Sequence, residues 1–172
     1  GPPRYTQGRS SAASDVDKRQ AEDPQEAGGQ EHVLWRDGET IAFLDRYPTV
    51  YGHVLVAPVA HREQVSGDFT LQQYLALQRV VHAVAEAARL ALKPERIYVL
   101  SLGSQQANAH VHWHVVPCPP GVPFEEQQLA LLDKEKRGIL ALEPEAVSYT
   151  HLRAHETVLD LVCRLLLEKK NQ

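Results

Sequence analysis

HVHWHVVP, residues 110–117, decides how this chain is read. His110, His112 and His114 alternate with Val111, Trp113 and Val115. Side chains along a β-strand point to opposite faces in turn, and residues two apart lie about 6.5–7 Å from each other on one face. A strand here carries a row of imidazoles on one face and an apolar row on the other. Three readings fit that row. Boundary histidines whose hydrogen bonds are satisfied need no function. Imidazole is also a common ligand for zinc and other transition metals. An HxH strand supplies two such ligands, with His53, His61 and Asp45 as candidates for the rest. Finally, neutral imidazole is a nucleophile toward phosphorus, and flanking imidazoles can donate to the non-bridging oxygens of a phosphate. Ser104, Gln105, Gln106 and Asn108, just upstream, add neutral polar donors.

Working outward, Ile97–Leu102 (IYVLSL) reads as a buried strand and Gly103–Asn108 as a polar loop. Before them, Thr70 and Gln73 form a T-x-x-Q capping box. Leu71, Leu75, Val81, Val84, Ala88 and Leu92 then recur at helical spacing until Lys93-Pro94. This predicts one long amphipathic helix that covers a core. Further upstream, His32–Arg36 and Thr40–Leu44 flank Asp37-Gly38, a hairpin signal. His53–Ala57 is another β-branched strand closed by Pro58, and His61–Val65 is expected to form one helical turn. Downstream of the histidines, a second helix is expected from Phe124 to about Lys136, with Pro123 near its start and Gly138 after its end. Hairpin strands, one long helix and two further strands predict an α+β domain: an antiparallel sheet of about five strands, one long helix and shorter helices.

The 172 residues suffice for one domain with a sizeable core, and 43% hydrophobic with 23% charged residues is ordinary globular composition. A net charge of −4 argues against a broad nucleic-acid-binding surface while leaving room for a local anion pocket. Cys118 and Cys163 form no CxxC pair, so neither a cysteine zinc site nor a disulfide framework is expected. No apolar run is long enough to span a bilayer and no signal-like start is visible, so the expected location is the cytoplasm, without membrane association.

Three regions follow. Residues 1–30 mix Gly, Pro, Ser, Gln and both charge signs with few large apolar side chains, and are expected to be disordered. Residues 31–146 hold the domain. Residues 147–172 have helical periodicity at Val158, Leu161, Val162 and Leu165. Yet SYTHLRAHET (148–157) and LVCRLLLEK (161–169) are what a common sequencing adapter encodes in a single frame. This segment is read as a translated adapter, so His151, His155 and Cys163 are given no part in a site.

HVHWHVV (110–116) matches the histidine-triad pattern His-φ-His-φ-His-φ-φ, φ being apolar, at every position. FLDRYPTVYGHVLVAPVAH (43–61) also resembles that family, especially its diadenosine polyphosphate hydrolase branch. The resemblance covers roughly residues 31–125. It implies a HIT-like fold and a nucleotide hydrolase or transferase that cleaves at the α-phosphate of a dinucleoside polyphosphate or similar conjugate. In this reading His112 attacks to give a nucleotidyl-histidine, His110 orients it and His114 contacts the phosphate. Gln106 matches a phosphate-binding glutamine, and Asp45 a position that holds the ribose hydroxyls, which suits a carboxylate acceptor. His53 lies in the family's Gly-His block, where a structural role is as well supported as a binding one. The chain departs from the family's Gly-Gln-[Ser/Thr]-Val with Gln105-Gln106-Ala107-Asn108: the hydroxyl is missing at Ala107, and the sequence does not decide whether Gln105 or Asn108 substitutes for it. The resemblance also implies a homodimer and no protein-bound cofactor, although a divalent ion can accompany a polyphosphate substrate. A phosphorylase and a non-catalytic nucleotide-binding module are the alternatives.

Overall fold

The computed structural model describes residues 33–102 and 109–141. Five strands form one antiparallel sheet: β1 (Val33–Arg36), β2 (Thr40–Leu44), β3 (Val54–Pro58), β4 (Arg96–Ser101) and β5 (Trp113–Cys118). Their order is β1-β2-β3-β5-β4. Helix α1 (Leu71–Leu92) joins β3 to β4. The expected α+β architecture, with its antiparallel sheet and single long helix, is the observed one.

The β1–β2 turn is set by Asp37, whose Oδ1 accepts from the backbone N–H of Glu39 and of Thr40, both at 2.7 Å. A side-chain acceptor of this kind replaces a backbone turn bond. Beyond it, β2 and β3 pair in unbroken register from Thr40↔Pro58 to Leu44↔Val54. The connection between them turns at Gly52, whose φ of 76° favours glycine, and a Cβ there collides with the Leu92 side chain.

Thr70 caps α1 with the expected reciprocal box: its hydroxyl accepts from Gln73 N–H at 3.2 Å, and the Gln73 side chain accepts from Thr70 N–H at 3.0 Å. Lys93 ends the helix in the left-handed region. The buried stripe is Leu77, Val80, Val81, Ala83, Val84, Ala87 and Ala88. Leu71 and Leu75, expected on that stripe, are instead 72% and 48% exposed in the first two turns.

The stripe packs on one sheet face, against Leu34, Ala42, Leu44, Val54, Val56, Val111, Trp113 and Val115. Trp113 is 4% exposed and meets Phe69 and Tyr74 edge-on, with centroids 6.1 and 6.2 Å away. On the other face, Ile41, Phe43, Leu55 and Ala57 form a second cluster and Val50, Val116, Cys118 and Leu131 a third. The imidazole row belongs to this face.

Several local expectations need correction. β4 is not buried: it is an edge strand with Val99 45% exposed, because it pairs only with β5. Residues 61–65 make no helical turn. The turn lies at 65–68, where the Asp68 carboxylate accepts from Glu63 N–H and Gln64 N–H and thereby offers the backbone an alternative to helix. The second helix expected over 124–136 is replaced by two 3₁₀ segments, Phe124–Glu126 and Gln128–Leu132, and a single turn, α2 (Lys134–Arg137). Gln127 is extended between the first two pieces, and Asp133 starts the third by accepting from Glu135 N–H and Lys136 N–H. This segment is tied to the loop after β2: Thr49 Oγ1 donates to the Leu131 carbonyl, and Leu140 N–H donates to the Pro48 carbonyl at 2.8 Å. The expected disordered region 1–30, the polar loop 103–108 and the adapter-like segment 147–172 lie outside the described residues.

Candidate active site

The histidine run joins the sheet later than its alternation suggests. Strand β5 begins at Trp113, so only His114 of the row lies in the ladder. Ahead of it, Val111 N–H donates to the Arg62 carbonyl at 2.7 Å and Ser101 Oγ donates to the His112 carbonyl at 3.0 Å. These bonds hold 110–112 across the ends of β3 and β4, and each imidazole acquires its own surroundings.

His110 and His112 are both buried, 2% exposed. The His110 ring is closed at both nitrogens. Its Nδ1 accepts from Arg62 N–H at 3.1 Å, and its Nε2 donates to the Pro58 carbonyl at 2.9 Å. A carbonyl can only accept and an N–H can only donate, so this ring is neutral with its proton on Nε2. Burial, helped by the nearby His61 and His112 rings, pushes its pKa below the ordinary histidine value. His61 stacks on His110 with centroids 5.1 Å apart and reaches Glu63 at 3.1 Å.

His112 points elsewhere. Its Nδ1 donates to the main-chain carbonyl of His110 at 2.8 Å, and its Nε2 lies 3.1 Å from His114 Nε2. The contact between the first and second histidines therefore runs through the backbone of the first. The His114 Nδ1 lies 3.0 Å from His53 Nε2. His53 stands just before β3, two residues from Leu55, the cross-strand partner of His114, so the two rings are diagonal neighbours on one face. His53 Nδ1 in turn approaches Asp45 Oδ2 at 3.0 Å, both side chains being buried. That approach is bent away from a linear hydrogen bond, so the attraction is chiefly electrostatic. Asp45 Oδ1 accepts from Tyr47 N–H at 2.9 Å.

A continuous chain thus runs Asp45–His53–His114–His112–carbonyl of His110. Its ionisation follows from its surroundings. Burial raises the Asp45 carboxyl, but the close contact and charge of His53, Lys134 and the Tyr47 N–H outweigh it and hold the group well below the usual carboxylate range. Burial, with the His53 and His112 rings beside it, pushes His114 down to about 2, so it is neutral at physiological pH. Lys134 at the start of α2 acts on both Asp45 and His114 through its charge, and no sequence motif pointed to it. Of the residues expected at the site, His112, His114 and Asp45 come together through His53, whereas the His110 side chain faces Pro58 and Arg62. Gln105, Gln106 and Asn108 lie outside the described residues. Among the described residues, no group of three or more His, Cys, Asp or Glu is arranged to hold a metal ion. Likewise among them, no helix is long and apolar enough to cross a membrane.

Known proteins share this architecture. The chain is 32% identical over 97 residues to an uncharacterized HIT-like protein of Saccharolobus solfataricus, an alignment covering 52% of this chain and 67% of that protein. Among solved structures, it is similar to a hypothetical histidine triad nucleotide-binding protein from Sulfolobus tokodaii, with a TM-score of 0.59 and 24% identity over 76% of this chain and 85% of the other. A zinc-bound histidine triad family protein from Mycobacterium smegmatis aligns with a TM-score of 0.58 and 18% identity over 80% and 90% of the two chains. At these identities the structures establish a shared fold. The HIT domain profile matches residues 27–120, more than half of the 172, and spans both the histidine run and the Asp45–His53 block. This chain belongs to the HIT domain family.

Proposed function

We propose that this chain is a nucleotide hydrolase or transferase that acts at an α-phosphate through a nucleotidyl-histidine intermediate on His112. The observation that supports this best is the bond from His112 Nδ1 to the His110 carbonyl at 2.8 Å. It commits the Nδ1 proton, so the lone pair that the neutral ring offers sits on Nε2, the nitrogen facing His114, and the reaction requires that neutral form. A nucleophile must keep that pair free of protons. In the first step the Nε2 pair bonds to the α-phosphorus, and the bond from phosphorus to the leaving group breaks with its electron pair. In the second, water attacks the same phosphorus, the N–P bond breaks, and nucleoside monophosphate leaves. The His114 N–H facing His112 Nε2 exchanges that partner for a phosphate oxygen as substrate enters.

Dinucleoside polyphosphates are the proposed substrate class, and Gln105, Gln106 and Asn108 are proposed to bind the phosphates. The outer edge of β4 is the proposed surface for a homodimer, to be tested by light scattering. The chemistry is tested by mixing the protein with α-³²P-labelled dinucleoside polyphosphates, nucleoside phosphoramidates and adenylyl sulfate. Acid-labile label on His112, lost in His112→Ala, is the expected result. Turnover with phosphate in place of water as acceptor identifies a phosphorylase instead. Binding with neither label nor turnover on any of these substrates leaves a nucleotide-binding module.

A further inference from the structure

We propose that Ser101 is a positioning residue for His112: its hydroxyl holds the His112 carbonyl and so fixes the main chain from which the attacking imidazole projects. The inference deepens the proposed function. Its kinetic arm rests on that reading, and its proton-exchange arm does not.

The β4–β5 ladder ends at the pair Ser101↔Trp113, one residue short of His112. The carbonyl of the buried His112 is met by a side chain instead: Ser101 Oγ donates to it at 3.0 Å. A backbone carbonyl away from water needs a donor, and a hydroxyl supplies one without requiring β4 to continue. On the other side of His112, main-chain atoms of Arg62 do the corresponding work. The Arg62 carbonyl accepts from Val111 N–H at 2.7 Å, and Arg62 N–H donates to His110 Nδ1 at 3.1 Å. Val111 N–H lies in the same peptide plane as the His110 carbonyl, to which His112 Nδ1 donates at 2.8 Å. The chain that carries the nucleophile is therefore clasped twice, before His112 by Arg62 and after it by Ser101.

The two clasps differ in what they ask of the sequence. Any residue except proline offers the N–H and C=O that Arg62 uses. The donor at 101 exists only if the side chain carries it. Ser101 shares the helix face with its partner Trp113, opposite the imidazoles, so it acts on the His112 ring through the main chain. Without the hydroxyl, the 112–113 peptide is free to rotate, and the ring moves with it. A displacement of about 1 Å at a reacting atom is enough to cost on the order of 10²-fold in rate. Because the His110 carbonyl can only accept, His112 Nδ1 donates to it whether the ring is neutral or protonated, and this positioning serves both forms.

The test uses the full chain and compares wild type, Ser101→Ala, Ser101→Thr and Ser101→Val. Threonine keeps the hydroxyl, and valine has the same shape without it. On a dinucleoside polyphosphate, Ser101→Ala and Ser101→Val should lower kcat at least about 10-fold and leave KM within a few-fold, while Ser101→Thr stays within about 3-fold of wild type. In protein labelled with ¹⁵N-histidine, the His112 Nδ1 proton should exchange with water at least about 10-fold faster in Ser101→Ala and Ser101→Val than in wild type or Ser101→Thr. The His110 Nε2 proton, bonded to the Pro58 carbonyl on the Arg62 side, is the internal reference and should keep its rate. Equal acceleration of both protons marks a general loss of stability and overturns the inference, as does an unchanged His112 proton. A rise in KM with kcat unchanged assigns Ser101 to substrate binding and overturns it too. If Ser101→Val does not fold, Ser101→Ala against Ser101→Thr gives the same decision. If wild type turns over none of the nucleotides, the proposed function fails, and the proton exchange still decides the inference by itself.

Discussion

The two faces of the sheet around β5 are held by different physics. On the helix face, Val111, Trp113 and Val115 pack with residues from β1, β2, β3 and α1. Dispersion and burial are non-directional and scale with area, so that face is specified by volume and patterning. On the other face, His112, His114, His53 and Asp45 are held by contacts of 2.8–3.1 Å with defined donors and acceptors. There a change of one proton or one atom type alters the whole chain of contacts. The apolar face therefore governs whether the domain folds, and the imidazole face governs which protons are where.

The contrast is sharpest at neighbouring residues. His112→Ala should abolish turnover, by about 10⁴-fold or more, while the domain still unfolds cooperatively; steady-state rates and a thermal melt of one sample check both. Trp113→Ala should do the reverse. Losing a fully packed indole costs about 3–5 kcal/mol of stability, and the fraction that remains folded should keep most of its kcat. If His112→Ala proves the more destabilising of the two, the division between the faces fails.

A pH titration tests the imidazole face without altering the apolar one. His110 and His114 have lowered pKa values in the fold, whereas histidines of the unfolded chain titrate near 6.5. As pH falls through about 6.5, the unfolded state gains protons that the fold refuses, so stability falls. The slope tends to about 1.4 kcal/mol per pH unit for each such residue, or about 2 kcal/mol for His114 between pH 7.5 and 5. Asp45 works in the same direction at lower pH: its depressed pKa contributes stability that is lost only as pH falls through the unfolded carboxylate range, so that contribution is intact throughout this window. Urea melts at the two pH values should show the loss, and His114→Gln should remove about 2 kcal/mol of the dependence.

Two smaller changes probe the scaffold. Gly52→Ala should cost about 2 kcal/mol, because the positive φ and the Leu92 side chain both oppose a Cβ. Thr70→Ala should cost about 1 kcal/mol through loss of the helix cap and leave kcat unchanged. A marked fall in kcat for Thr70→Ala would show that the start of α1 influences the site.

Features with short-range causes were legible in the sequence. The capping box at Thr70 and Gln73, the Asp37-Gly38 turn, the β2 and β3 runs and the apolar row of Val111, Trp113 and Val115 each depend on a few adjacent residues, and each stands in the fold. The broken segment 124–137 was misread because Pro123 and Gly138 permit a helix between them, while extended Gln127, capping Asp133 and the bonds to Pro48 and Thr49 divide it. The exposure of β4 was misread because an edge strand and a central one can share the pattern IYVLSL.

The sequence by itself determined that three imidazoles would share a short run opposite an apolar row, since alternation is a property of the extended backbone. It also placed an acid at 45 and a histidine at 53, with no means of joining them to that run. Only the tertiary structure decided that His110 would turn to Pro58 and Arg62 while His112 and His114 joined His53 and Asp45. That sorting depends on β3 pairing antiparallel with β5 in one particular register and on Asp45 N–H donating to the His53 carbonyl at 2.9 Å, which brings the two ends of the β2–β3 loop together. Register is a long-range property, and a slip of a single residue would have sent His53 to the other face of the sheet.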